Sequence, residues 1–68
     1  MPTIIVEGPS IDIEKKRALV RGITETASAV YGLPSRIIHV LIRENPPENV
    51  GVAGGLLADR REESGTDR

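Results

Sequence analysis

The sequence predicts an α+β protein in which one βαβ unit is followed by a C-terminal β-hairpin arm and several copies assemble into an oligomer. Three observations carry this. Two β-branched aliphatic runs flank one stretch of helical periodicity. A Gly-rich segment then follows a pair of prolines. Finally, 68 residues with 38% hydrophobic content leave little apolar surface for a free-standing core, since a chain of this length buries only about 60% of the surface its unfolded form exposes. Phe and Trp are absent and Tyr31 is the only aromatic, so the interior must come from Ile, Val, Leu and Ala. Small domains often compensate with disulfides or a metal, but the chain has no Cys and one His. Self-association is the route that remains.

The elements follow in order. Residues 3–7 are β-branched and apolar, and Gly8-Pro9-Ser10 punctuates them, which predicts a short strand ending in a turn. From Asp12 the pattern changes: Val20, Ile23, Ala27 and Val30 recur at helical spacing with Leu19 beside them, while Arg17, Arg21, Glu25 and Ser28 lie off that stripe. A helix over 12–31 is predicted. Asp12 suits the N-cap and Glu14 the positive end of the dipole; Gly32 suits the left-handed position after the last turn, and Pro34 prevents resumption. Residues 36–44 alternate at β period, with Ile38, Val40 and Ile42 facing the helix and Ile37, His39, Leu41 and Arg43 facing away. The mixed outer face is expected to meet another subunit or a ligand.

Strand, helix, strand implies two parallel strands, and two alone do not make a stable sheet. Asn45-Pro46-Pro47-Glu48-Asn49 forces a turn. Residues 50–57 read as a Gly-rich hairpin arm that reaches to a neighbouring copy. The domain is predicted over residues 1–61, with 62–68 a disordered charged tail.

Composition excludes several classes. Nine Lys+Arg against ten Asp+Glu give a net charge of -1, without the basic stripe or aromatics of a nucleic-acid binder. A ribbon-type DNA binder, which a small dimerising strand followed by a helix suggests, is therefore ranked last. No apolar run approaches the roughly 18 residues of a membrane span, and no secretory h-region follows Met1, so a cytoplasmic protein is expected. No metal site and no cofactor are expected: there is one His, no Cys and no P-loop motif.

Met1-Pro2 is the feature that points to chemistry. Methionine before a small residue is commonly removed, and the chain would then begin with a secondary amine that is free to act as general base or nucleophile. Apolar surroundings and nearby cations both disfavour the ammonium form and would draw its pKa toward neutrality. The bland reading is that Pro2 only stiffens the start of the strand.

Taken together, Met1-Pro2, a strand closing on Glu7-Gly8, a helix opening at Asp12, the run Ile38-His39-Val40-Leu41-Ile42-Arg43-Glu44 and the arm Asn49-Val50-Gly51-Val52-Ala53-Gly54-Gly55 closely resemble the 4-oxalocrotonate tautomerase family. The resemblance runs from residue 2 to about 61. It implies a βαβ unit with a C-terminal hairpin that assembles as a homohexamer, with no cofactor. It also implies Pro2 as a general base that shuttles a proton on a small keto or enol acid. The family's strand arginine corresponds to His39, a second arginine before the helix has no counterpart among Pro9, Ser10 and Ile11, and a phenylalanine that walls the proline corresponds to Val50. Imidazole does not replace a guanidinium fork equivalently.

Arg43 is a replacement cation, four residues and about 13 Å along the strand from His39. Arg36, Arg60 and Arg61 lie near ends that could cross a subunit boundary, with solvated surface charge as the bland reading. Tyr31 is assigned to packing. The expected site is therefore Pro2 as catalytic base with His39, Arg43 and Val50 binding substrate. The alternative is a degenerate, non-catalytic member that serves as an oligomeric structural or interaction module.

Overall fold

The computed structural model describes residues 1–63. Strand β1 (Thr3–Gly8), helix α1 (Ile13–Tyr31) and strand β2 (His39–Glu44) form the βαβ unit. The strands pair in parallel, Thr3 opposite His39 through Gly8 opposite Glu44. Side chains alternate as the register requires: Ile4, Val6, Val40 and Ile42 are half-buried toward the helix, while Thr3, Ile5, Glu7, His39, Leu41 and Arg43 are exposed on the outer face.

Helix α1 ends where the sequence says it should. Asp12 accepts a hydrogen bond from the Lys15 amide at 2.8 Å, which satisfies one free donor of the first turn. Gly32 takes the left-handed conformation at φ 70°, and the Gly32 and Leu33 amides both donate to the Ser28 carbonyl, at 2.9 and 3.2 Å. Leu19, Val20, Ile23 and Ala27 are half-buried as predicted. Val30 is not: it is 79% exposed. The reason is length, since the 19 residues of the helix run about 28 Å against about 20 Å for a six-residue strand. The helix overhangs the sheet at its ends. Ser28, expected on the solvent side, is half-buried, and its hydroxyl donates to the Leu33 carbonyl at 2.5 Å.

The second strand begins three residues later than predicted. Ser35–Ile37 form a 3₁₀ turn after Pro34, with Ile37 donating to the Pro34 carbonyl and Ile38 to that of Ser35. Strand β1 begins only at Thr3, so residues 36–38 have no ladder to join, and the local turn satisfies the Ile37 and Ile38 amides instead. Ile38 emerges as the one buried hydrophobic residue among those described, at 8% exposure.

Beyond β2 the prolines give a second 3₁₀ turn, Pro47–Asn49, and then a hairpin of β3 (Gly51–Val52) and β4 (Gly55–Leu56). Its two turn residues, Ala53 at φ 53° and Gly54 at φ 86°, both have positive φ, as a two-residue type I′ hairpin demands. Helix α2 (Leu57–Glu63) follows at once and was not predicted. Leu, Ala, Arg and Glu are all good helix formers with Asp59 in the first turn, yet the sequence reading ends the hairpin arm at residue 57 and assigns no helix after it. The helix is described to Glu63, and the rest of the predicted tail, 64–68, lies outside the described residues.

The arm packs mainly on itself, with α2 and β4 against the Pro47–Asn49 turn. The Cα radius of gyration is accordingly 15.4 Å, where about 11 Å describes a compact chain of this size. Two apolar surfaces are left uncovered. Ile5 and Leu41, directly opposite each other on the outer sheet face, are 47% and 50% exposed. On the other side, Ile4 and the helix flank of Ala18, Gly22, Thr26 and Val30 line an open groove of about 700 Å³. No helix among the described residues is long and apolar enough to cross a membrane.

Candidate active site

Pro2 stands half-buried immediately before β1, and its carbonyl accepts a hydrogen bond from the His39 amide at 3.1 Å. This bond starts the β1–β2 ladder, so it fixes Pro2 and His39 side by side at the same end of the sheet. The His39 side chain is exposed on the outer face opposite Thr3. Met1 projects ahead of Pro2 at 73% exposure, so its removal would disturb no packing.

Arg43 occupies the other end. Its guanidinium lies 3.4 Å from the Glu7 carboxylate across the strand pair, and the Asn45 side-chain amide donates to the other Glu7 oxygen at 3.1 Å. Both charges are more than half exposed. Within one chain Arg43 is therefore separated from Pro2 by the length of the strand and already faces a carboxylate. Glu7 and Asn45 were not singled out from sequence. The signal was available, because a parallel pairing that starts with Thr3 opposite His39 necessarily puts Glu7 opposite Arg43.

Val50 sits in the arm. It closes the Pro47–Asn49 turn by donating to the Pro47 carbonyl at 3.3 Å, and its own carbonyl accepts from the Leu57 amide at 2.8 Å. No hydrogen bond joins it to Pro2, His39 or Arg43 among the described residues. Arg60 braces the same arm by donating to the Val52 carbonyl at 2.9 Å. One chain thus supplies Pro2 with His39, Arg43 with Glu7, and Val50 as three separate groups.

The loop between β1 and α1 is tied down from below. Lys16 Nζ lies 2.7 Å from Glu44 Oε2, and this bond is the largest cause holding the Glu44 carboxyl below its ordinary value; the Ile11 amide and the Ser10 hydroxyl add to it, against some desolvation. Among the described residues no three His, Cys, Asp or Glu side chains gather as a metal-ligand set.

Residues 2–60 match the family described as Tautomerase enzyme. Comparison with curated proteins gives no match. Among solved structures, DmpI from Archaeoglobus fulgidus is 48% identical with a TM-score of 0.81, covering 85% of this chain and all of that one. TomN, a 4-oxalocrotonate tautomerase homologue of the tomaymycin biosynthetic pathway, is 31% identical with a TM-score of 0.85, covering 90% and 95%. A heterohexameric 4-oxalocrotonate tautomerase from Chloroflexus aurantiacus is 27% identical with a TM-score of 0.78, covering 87% and 97%. The family match spans nearly the whole described fold, from Pro2 at the head of β1 to the end of the hairpin arm, and the chain belongs to the tautomerase family.

Proposed function

We propose that the protein is a cofactor-independent tautomerase of the cytoplasm, acting on a small keto or enol acid with Pro2 as general base once Met1 has been removed. The carrying observation is the His39 amide bond to the Pro2 carbonyl, which supports a fixed base beside a donor side chain on the neighbouring strand. In the enol-to-keto direction the Pro2 nitrogen accepts the enol hydroxyl proton and returns a proton to carbon, so no net proton is consumed. His39, with Arg43 as the alternative cation, stabilises the oxygen as charge develops on it. Val50 supplies part of an apolar wall.

The site is assembled between copies. The separation of Val50 and Arg43 from Pro2 within one chain and the uncovered Ile5 and Leu41 support a homo-oligomer, with the hexamer favoured. A second reading, an oligomeric module without proton transfer, draws on the engagement of Arg43 by Glu7 and on histidine at position 39.

The test is ketonisation of phenylenolpyruvate by protein whose N-terminus is verified by intact mass. Pro2→Ala should lower kcat by about 100-fold or more. Full activity in that variant, or in protein that retains Met1 and therefore has an amide at Pro2, would reject the general base and favour the second reading.

A further inference from the structure

We propose that Arg36 holds the substrate's carboxylate and that the site takes acids carrying a single carboxylate. This deepens the reading of Pro2 as base and rests on it. Acidic side chains are confined to one end of the sheet. Glu7, Glu44, Asp12 and Glu14 all lie at the end where β1 and β2 finish and α1 begins. The opposite end, made of residues 1–6 and 32–42, contains no Asp or Glu at all. It contains two basic side chains, Arg36 and His39, together with Pro2.

The pairing of the cations follows the same division. Lys16 faces Glu44, Arg17 faces Glu14, Arg43 faces Glu7, and Arg60 donates to the Val52 carbonyl. Lys15 and Arg21 make no side-chain ion pair or hydrogen bond among the described residues, but they sit on exposed positions of α1, Lys15 beside Glu14 and Arg21 one turn before Glu25, away from the start of the sheet. Arg36 and His39 have neither an acidic partner nor a side-chain hydrogen bond among the described residues. The nearest acid to either along the chain is Glu44, at the far end of β2.

Chain position sets Arg36 within side-chain reach of Pro2. The 3₁₀ turn Ser35–Ile37 compacts the chain just before β2, so Arg36 and His39 are separated by about 6 Å of rise. His39 in turn is bonded to Pro2 through the backbone. An arginine side chain spans that distance. Its planar fork binds a carboxylate through two parallel N–H bonds, which imidazole cannot do. His39 is then left for the enol oxygen. A second carboxylate on the substrate would have to draw on Arg43, about 13 Å away along the strand, and leave Glu7 without its cation.

The experiment measures kcat and KM for phenylenolpyruvate in Arg36→Ala, Arg36→Lys and Arg21→Ala, with calorimetric binding of 3-phenylpropionate as an unreactive monocarboxylate. Arg36→Ala should raise KM and weaken 3-phenylpropionate binding about tenfold, with kcat within about twofold, and Arg36→Lys should recover part of the loss. Arg21→Ala, a control for general charge, should match the parent. An unchanged KM in Arg36→Ala, an equal rise in Arg21→Ala, or a dicarboxylic 2-hydroxydienoate turned over with higher kcat/KM than phenylenolpyruvate would overturn the proposal. Failure of the base is read separately: a fully active Pro2→Ala rejects Pro2 alone, and unchanged 3-phenylpropionate affinity in Arg36→Ala rejects the carboxylate site whatever Pro2 does.

Discussion

Arg43 lies directly opposite Glu7 on the outer sheet face, its guanidinium 3.4 Å from the carboxylate. The pair is long and more than half exposed, so its worth to the fold is small. A double-mutant cycle of Glu7→Gln and Arg43→Gln should give a coupling free energy of about 0.5 kcal/mol or less, shrinking with added salt. Chemical denaturation at fixed protein concentration measures it. A coupling above about 2 kcal/mol would mean that the pair is buried by a neighbouring copy and strengthened there.

Ala53 holds a left-handed backbone, φ 53°, at the first position of the hairpin turn. Alanine meets a steric penalty there that glycine escapes and asparagine tolerates. Ala53→Gly and Ala53→Asn should therefore raise stability by up to about 1 kcal/mol, and Ala53→Val should lower it. The comparison needs equal concentrations, because assembly contributes to the apparent midpoint.

Ile5 and Leu41 face each other on an outer surface where nothing in the single chain covers them. Their burial between copies is the simplest remedy for a fold with one buried hydrophobic among the described residues. Leu41→Glu should reduce the sedimenting mass toward that of one chain and lower tautomerase activity with it, since an ionised carboxylate at an apolar interface is strongly unfavourable. An unaltered mass would place the interface elsewhere, with the groove beside Ile4 as the next surface to test.

The parts of this fold that sequence revealed are those fixed by local chemistry. Asp12, Gly32 and Pro34 bracket the helix because each acts within one turn of its own position. The hairpin was legible for the same reason, through Gly51, Gly54 and Gly55. What was missed depends on lengths and on partners distant in sequence. The exposure of Val30 follows from comparing helix and strand lengths, and the turn at Ser35–Ile37 follows from where β1 starts. Helix α2 was missed because its charged residues satisfy a helix and a disordered tail equally well until Leu57 and Arg60 are seen bonded back to Val50 and Val52. Similarly, Arg43 looked available in the sequence because Glu7 is 36 residues away in the chain.

Glu44 links the end of β2 to the loop before α1 through Lys16, the Ile11 amide and the Ser10 hydroxyl, and these contacts hold its carboxyl below the ordinary 4.5. The unfolded chain loses them, so its Glu44 binds a proton at higher pH than the folded chain does. The contribution to stability is therefore complete above about pH 5 and is lost as pH falls through the depressed folded value. Glu44→Gln keeps the shape of the side chain but removes this dependence. The difference in urea midpoint between parent and Glu44→Gln should be constant from pH 7 to about pH 5 and should narrow as the solution is acidified further. Lys16→Met should narrow it in the same range, because Lys16 is the largest cause of the shift. A difference that stays constant down to pH 3 would show that the carboxylate carries no linkage to folding and that the loop is held by the backbone alone.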